Sequence, residues 1–148
     1  MVKEAFGVRE FDVALRGIAT QSSLYNYYYA SFAIDGNKAS VLSASSCTHT
    51  NVDYGVDLLA VYDISNVIIT NRGDACADRI NGAEIHIGNS LINNGNNNPS
   101  LNKTLKHSTK IAHKGRYVNV IIPNIAQYLT LCEVEVYGVP VSVFKRLF

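Results

Sequence analysis

A chain of 148 residues, 47% hydrophobic and 17% charged, has the composition of one ordinary globular domain, long enough to bury about 68–70% of its unfolded surface. Its formal net charge of +1 and the lack of any Lys/Arg run exclude the basic footprint of a nucleic-acid binder, and no apolar run approaches the ~18 residues of a membrane span. The first residues, MVKEAFGVREFDVALRG, lack an apolar core followed by a cleavage site, which leaves either a cytoplasmic protein or a mature secreted domain.

Short apolar runs punctuated by Gly, Asn and Asp, without sustained 3.6-residue periodicity, read as an all-β chain. Val56 to Val61 and Ile64 to Thr70 read as two strands, the second so continuously apolar that it belongs inside a sheet. Ala83, Ile85 and Ile87 alternate with Glu84 and His86, the pattern of a half-buried strand. Asn93 to Pro99 has no periodicity and reads as a surface loop. Val118, Val120 and Ile122 alternate around Asn119 until Pro123-Asn124 stops them. In LTLCEVEVYG, Thr130, Cys132, Val134 and Val136 face one way and Glu133 and Glu135 the other. With no repeat and no linker, residues 1–148 form a single domain: a two-sheet sandwich over about 10–138 and a tail over 139–148. The tail, VPVSVFKRLF, docks or dangles more readily than it inserts into a membrane.

The three cysteines admit two readings. A bridge between Cys47 and Cys132 would close a loop of about 86 residues and contribute ~4 kcal/mol in the chain-entropy model, while two buried thiols fit the same spacing. Cys76 is left over either way. Asn102-Lys103-Thr104 is a glycosylation acceptor sequence, of consequence only in an exported chain.

Arg72, Asp74 and Arg79 follow a lone His49 and carry the functional signal. Water already satisfies the hydroxyls of a sugar, so a protein needs aligned charged donors, whose hydrogen bonds contribute ~1.5–3 kcal/mol each. An arginine fork spans two neighbouring oxygens, and Asp74, on a turn at Gly73, can brace either arginine. His49 adds one more donor. Residue types alone fit equally a solvated turn in which Arg72, Asp74, Asp78 and Arg79 make ordinary surface ion pairs.

The segments DVALRGIATQS, FAIDGNKAS, SCTH, VDLLAVYDISNVIITNRGD, RINGAEIHIG, GRYVNVIIP and LCEVEVYG, in that order, resemble the F-type lectins, or fucolectins. The family pattern is a histidine, some two dozen residues, then Arg-x-Asp-x4-Arg/Lys. Arg72 to Arg79 satisfies its second half, and 22 residues separate His49 from Arg72. The resemblance implies a discoidin-type jelly-roll β-sandwich with a pocket in the loops at one end. His49, Arg72 and Arg79 would grip fucose, Asp74 would orient the arginines, and Leu42 or Tyr25, the latter beside the run Tyr27-Tyr28-Tyr29, would meet the C6 methyl. It also implies a structural calcium ion held by Asp35, Asn37, Ser46 and Glu133 with main-chain oxygens of Phe32 and Cys132, a Cys47–Cys132 disulfide, secretion, fucosylated glycans as partners and a homo-oligomer.

The chain departs from the family where two adjacent cysteines often stand, because Ala75-Cys76 cannot form their bridge. Asp53-Tyr54 replaces a common tryptophan pair, and a further bridge in the Asn-rich region is missing. Two other classes compete. Glycoside hydrolysis needs two facing carboxyl groups roughly 5–9.5 Å apart, yet Asp74 and Asp78 each neighbour an arginine that keeps them ionised, and no nucleophile elbow is present. Zinc ligation by Cys47, His49, Cys76 and His86 matches no recognised spacing. The stronger competitor is a protein-recognition module, since Arg72-Gly73-Asp74 is the tripeptide that integrins read.

Overall fold

Alternating branched apolar residues give seven antiparallel strands and, among the described residues, no α-helix: β1 (Val2–Ala5), β2 (Val8–Asp12), β3 (Ile18–Gln21), β4 (Asp53–Asn71), β5 (Glu84–Gly88), β6 (Ser108–Ile121) and β7 (Leu131–Pro140). The computed structural model describes residues 2–5, 8–101 and 105–141. The Asn102-Lys103-Thr104 sequence and residues 142–148 of the expected tail lie outside them. The β1–β2 hairpin begins before residue 10, and β7 takes Val139 and Pro140 into the sheet, so the strands extend past both ends of the expected sandwich.

Two long strands build both layers. The first part of β4 (Tyr54 to Asp57) pairs with β3 and with the end of β6 (Tyr117 to Val120), whose other edge holds β5. The second part of β4, from Tyr62 onward, pairs with the start of β6 and with β7, which carries β2 and then β1. The corner in β4 falls between Asp57 and Tyr62, where the register shifts and Leu59 takes a left-handed φ of 68°. The expected pair of strands is therefore one bent strand. Across the corner, Gly115 is obligatory in β6, since a Cβ there would lie 2.6 Å from the Ile87 side chain and 2.9 Å from the Gly88 nitrogen.

A second register shift, between Ile64 and Asn66, explains the continuous apolar run. Before it the buried positions are even (Tyr54, Val56, Leu58, Ile64), and after it they are odd (Val67, Ile69). One extra residue exchanges the faces. These side chains meet Ile85, Ile87, Val118 and Val120 from one layer and Leu131, Val134 and Val136 from the other to form the core.

Strand β7 is covered on both faces, because the 3-10 turns Val13–Arg16 and Ala30–Ile34 pack over its outer side. Glu133 and Glu135 do point away from the valines, but into protein, at 0% and 2% exposure. Glu135 binds the Tyr137 hydroxyl at 2.8 Å and Lys38 at 2.9 Å. Cys47 and Cys132 are joined by a disulfide, which removes Cys47 from any zinc set. Among the described residues, no group of three or more His, Cys, Asp and Glu side chains is placed to hold a metal.

Candidate functional site

Leu131, at the mouth of β7, brings the two halves of the motif together. It pairs with Asn71 at the end of β4, and its carbonyl accepts the N–H of Thr48 at 2.8 Å. Arg72 follows Asn71 and His49 follows Thr48, so both side chains start from backbones that flank one strand. Inter-strand spacing puts those backbones about 10 Å apart. Arg79 comes from the short turn Ala77–Ile80, which starts at Cys76 in a left-handed conformation and leads into β5.

His49 is 6% exposed, and its Nδ1 has no hydrogen-bond partner. Its ring lies between Tyr25, at 4.7 Å between centroids, and Tyr128, at 4.8 Å, with Tyr28 at 6.4 Å. Burial, then the positive charges of Arg79 and Arg72, hold the imidazole below its ordinary value. A neutral ring keeps one donor and one acceptor, whereas an imidazolium only donates. An acceptor among cationic donors suits a hydroxyl, which offers both.

Asp74 fixes Arg72 by two bonds, Nε to Oδ1 at 2.8 Å and Nη2 to Oδ2 at 3.3 Å. This pair holds the Asp74 carboxyl below, and the Arg72 guanidinium above, their usual values. Two of five guanidinium donors are used, and three remain for other partners. The Arg79 guanidinium lies 5.5 Å over the Tyr128 ring, which limits its motion without consuming its N–H groups. Asp74 braces Arg72 alone in this geometry, and an aromatic ring does the same for Arg79.

The turn carrying Arg72 is itself anchored. The Gly73 N–H donates to the Ser40 carbonyl at 2.7 Å, and a Cβ at Gly73 would lie 2.9 Å from Ser40 Oγ. The backbone N–H of Leu42 faces the Asp74 carboxylate and helps to lower it. Leu42, half-buried, thus borders Asp74, while Tyr25, 53% exposed, borders His49. Because Arg72 and Asp74 are folded onto each other, the tripeptide does not splay its two charges as an extended receptor ligand would.

Tyr128 is the site residue that motif reading misses. It stands 79 residues from His49, in an aperiodic loop before β7, and its one sequence signal is that it closes that loop just ahead of LTLCEVEVYG. The free thiol of Cys76 is exposed beside the arginines, with Ala75 where a second cysteine would stand.

Of the residues expected to hold calcium, Phe32 lies in the turn Ala30–Ile34, Asp35 caps it, and Cys132 and Glu133 belong to β7. Asp35 Oδ1 accepts the Asn37 N–H at 2.9 Å and Asn37 Oδ1 accepts the Ala39 N–H at 3.1 Å. The buried Ser46 hydroxyl donates to the Ala39 carbonyl, and Glu133 Oε2 accepts the Gly36 N–H at 2.8 Å. Glu133 Oε1 is buried without a partner, and burial together with the nearby Asp35 pushes this carboxyl up to about 8. The surrounding set of carboxylate, amide, hydroxyl and carbonyl oxygens is of the type calcium takes. The donor set fits the ion.

Residues 32–131 match the family described as a NedA-like, galactose-binding domain of the F5/F8 type C group. The chain is similar to Fucolectin-4 of Anguilla japonica, at 49% identity over 88% of this chain and 81% of the relative, and to the fucolectin of Anguilla anguilla, at 45% identity over 88% and 92%. Among solved structures it is similar to an F-lectin (fucolectin) from Morone saxatilis (striped bass) serum, at 47% identity and a TM-score of 0.81 over 87% of this chain, and it spans 49% of that chain. A Streptococcus pneumoniae fucose binding module aligns over 86% of this chain and 97% of its own, at 27% identity and a TM-score of 0.72.

Proposed function

The chain belongs to the F-type lectin (fucolectin) family, a class of non-catalytic sugar binders, and from that premise we propose that the His49, Arg72 and Arg79 pocket binds terminal L-fucose on glycans. The observation that carries the assignment is the convergence of two braced guanidiniums on one buried neutral imidazole with an unpartnered ring nitrogen. Arg72 and Arg79 donate charge-assisted bonds to ring hydroxyls, and His49 exchanges a hydrogen bond with a third. Asp74 touches no sugar and orients Arg72. The apolar flanks beside the polar centre, Tyr25 next to His49 and Leu42 next to Asp74, receive the C6 methyl, the group that distinguishes fucose from a plain hexose.

The same proposal includes a structural Ca2+ ion ligated by Asp35, Asn37, Ser46 and Glu133, with the carbonyls of Phe32 and Cys132 completing the shell. Ionised Glu133 would then have a partner for its second oxygen. The lectin acts outside the cell on fucosylated glycans, as a homo-oligomer. Support for the compartment comes from the serum origin of the striped bass relative and from the Cys47–Cys132 bridge, which persists in oxidising surroundings.

Glycan-array binding with and without competing free fucose tests the assignment. Fucosylated glycans are expected to bind and free fucose to displace them. Binding that fucose leaves untouched would return the chain to the protein-recognition reading through Arg72-Gly73-Asp74.

A further inference from the structure

An asparagine side chain is most open to attack by its own main chain when glycine follows, because no Cβ then shields the next nitrogen. The chain holds two such pairs, Asn81-Gly82 and Asn94-Gly95, and the fold treats them oppositely. Asn81 and Gly82 are both exposed, at the centre of a type II turn. Asn81 takes φ −59° and ψ 133°, Gly82 takes φ 83°, and the Ala83 N–H donates to the Ile80 carbonyl at 3.0 Å. No atom comes within 4 Å of the place a Cβ would occupy at Gly82.

Asn94-Gly95 is tied down instead. Gly95 is buried, the Asn94 carbonyl accepts Asn119 Nδ2 at 2.8 Å, and a Cβ at Gly95 would lie 2.8 Å from Asn119 Oδ1. Turning the Gly95 nitrogen toward the Asn94 side chain would pull Asn119, 3% exposed, out of its hydrogen bonds. At Asn81 the same rotation opens one exposed turn bond, which costs about 0.5–1.5 kcal/mol.

We infer that Asn81 is a self-modification site whose conversion disarms the sugar pocket. The Gly82 nitrogen bonds to Asn81 Cγ and gives up its proton, with which the side-chain nitrogen leaves as ammonia. A five-membered cyclic imide results. Water opens it at either carbonyl, to aspartate at the side-chain carbonyl or to isoaspartate at the main-chain carbonyl. The isoaspartate chain runs through the former side chain and is one methylene longer.

What flanks the turn decides where that methylene is felt. Strand β5 is held by five pairs with β6, from Glu84–Ile121 to Gly88–Tyr117, and Ala83 before it is buried. The Ala77–Ile80 turn is held by short local bonds and by Arg79 lying over Tyr128. The turn therefore shifts and the strand does not, which draws Arg79 off the ring. A new carboxylate two residues from Arg79 competes for its donors as well. The loss of binding rests on the fucose reading above, whereas the chemistry at Asn81 does not.

Incubation in warm, mildly alkaline buffer, then peptide mapping and calorimetry with methyl α-L-fucopyranoside, tests the inference. A mass gain of ~1 Da with an isoaspartyl linkage is expected at Asn81 and not at Asn94. The converted fraction, separated by ion exchange on its added negative charge, should keep its melting transition and bind at least tenfold more weakly, the loss of about one charge-assisted bond. Asn81→Gln, whose longer side chain closes a ring far more slowly, should hold its mass and its affinity through the same incubation. Asn81 left intact while a free peptide of residues 77–85 converts would overturn the inference, as would a converted fraction that has unfolded or binds as before. Fresh protein that fails to bind methyl fucoside would remove the pocket and its disarming together, and the mass gain at Asn81 would then stand alone.

Discussion

At the residue scale the site rests on how each donor is held. Arg79 is steadied by a ring rather than by a carboxylate, so its whole fork is available to ligand. Replacing Arg79 with Ala removes about two charge-assisted bonds of ~1.5–3 kcal/mol each and is expected to weaken fucose binding a hundredfold or more, with melting unchanged. Arg79→Lys keeps the charge and loses the fork, and should recover little of the binding in the same calorimetric titration. His49 behaves differently, because its charge is the variable. Its folded value lies below 6.5, so the folded chain binds this proton less readily than the unfolded chain. Any stability it contributes is present above pH 6.5 and is lost as pH falls from there through the lower folded value. The neutral imidazole should persist to lower pH than an ordinary histidine allows. Fucose affinity, measured from about pH 8 downward, is expected to stay flat through 6.5 and to fall only below it. A decline centred at or above 6.5 would mean that a group other than His49 controls binding.

At the scale of elements, burial of acids is what distinguishes β7 and its cover. Asp12, at the end of β2, accepts the N–H of Ala14 at 3.2 Å and of Val136 at 3.0 Å, both on Oδ1. Burial, reinforced by the Glu135 charge, nevertheless raises its carboxyl from 3.8 to about 6. An acid raised on folding stabilises the fold below 3.8 and loses that contribution as pH rises to about 6. The difference amounts to about 3 kcal/mol at 1.36 kcal/mol per pKa unit. Asp12→Asn keeps the Oδ1 acceptor for both bonds and removes the charge. Denaturant titrations should therefore show the variant gaining on the parent between about pH 4 and pH 7, and parallel curves would place the proton elsewhere. Glu133 makes a complementary case through the proposed calcium ion. Removing the ion with a chelator at neutral pH should lower the melting temperature by several degrees and added Ca2+ should restore it, whereas identical melting curves would remove the cation.

These elements also show where a sequence is readable and where it is not. The alternation of Ala83 to Ile87 and Val118 to Ile122 is local and appears in the strands as read. The break that sequence places in β4 falls at Tyr62-Asp63, where Asp63 interrupts the apolar pattern, and the pairing of both residues with β6 and β7 is a tertiary fact. Alternation correctly turned Glu133 and Glu135 away from the valines, but it could not reveal that distant turns would bury them. At the site the same division holds. His49, Arg72 and Arg79 stand out as residue types in a spaced motif, while Tyr128 meets His49 where Thr50 bridges to Leu129, a pairing no local pattern reveals.

At the scale of the whole molecule the issue is how one shallow pocket becomes a useful lectin. Each copy of the chain carries one fucose pocket in this reading, built from loops at one end of the sandwich, and such a site releases a monosaccharide quickly. Joining several copies makes every binding event after the first intramolecular, and avidity can then exceed single-site affinity by ~10²–10⁴ without a new contact. The proposed homo-oligomer therefore makes a ratio measurable. Affinity for methyl fucoside in solution reports one site, and apparent affinity for beads densely coated with fucosylated glycan reports all sites in reach. A ratio of about a hundred that collapses when the glycan is diluted on the bead is expected of a multivalent assembly. Arg79→Ala chains mixed in excess with the parent should lower the ratio if subunits exchange, because each assembly then carries fewer competent pockets. A ratio near one at every glycan density would identify a monovalent module, whose avidity must come from whatever it is joined to.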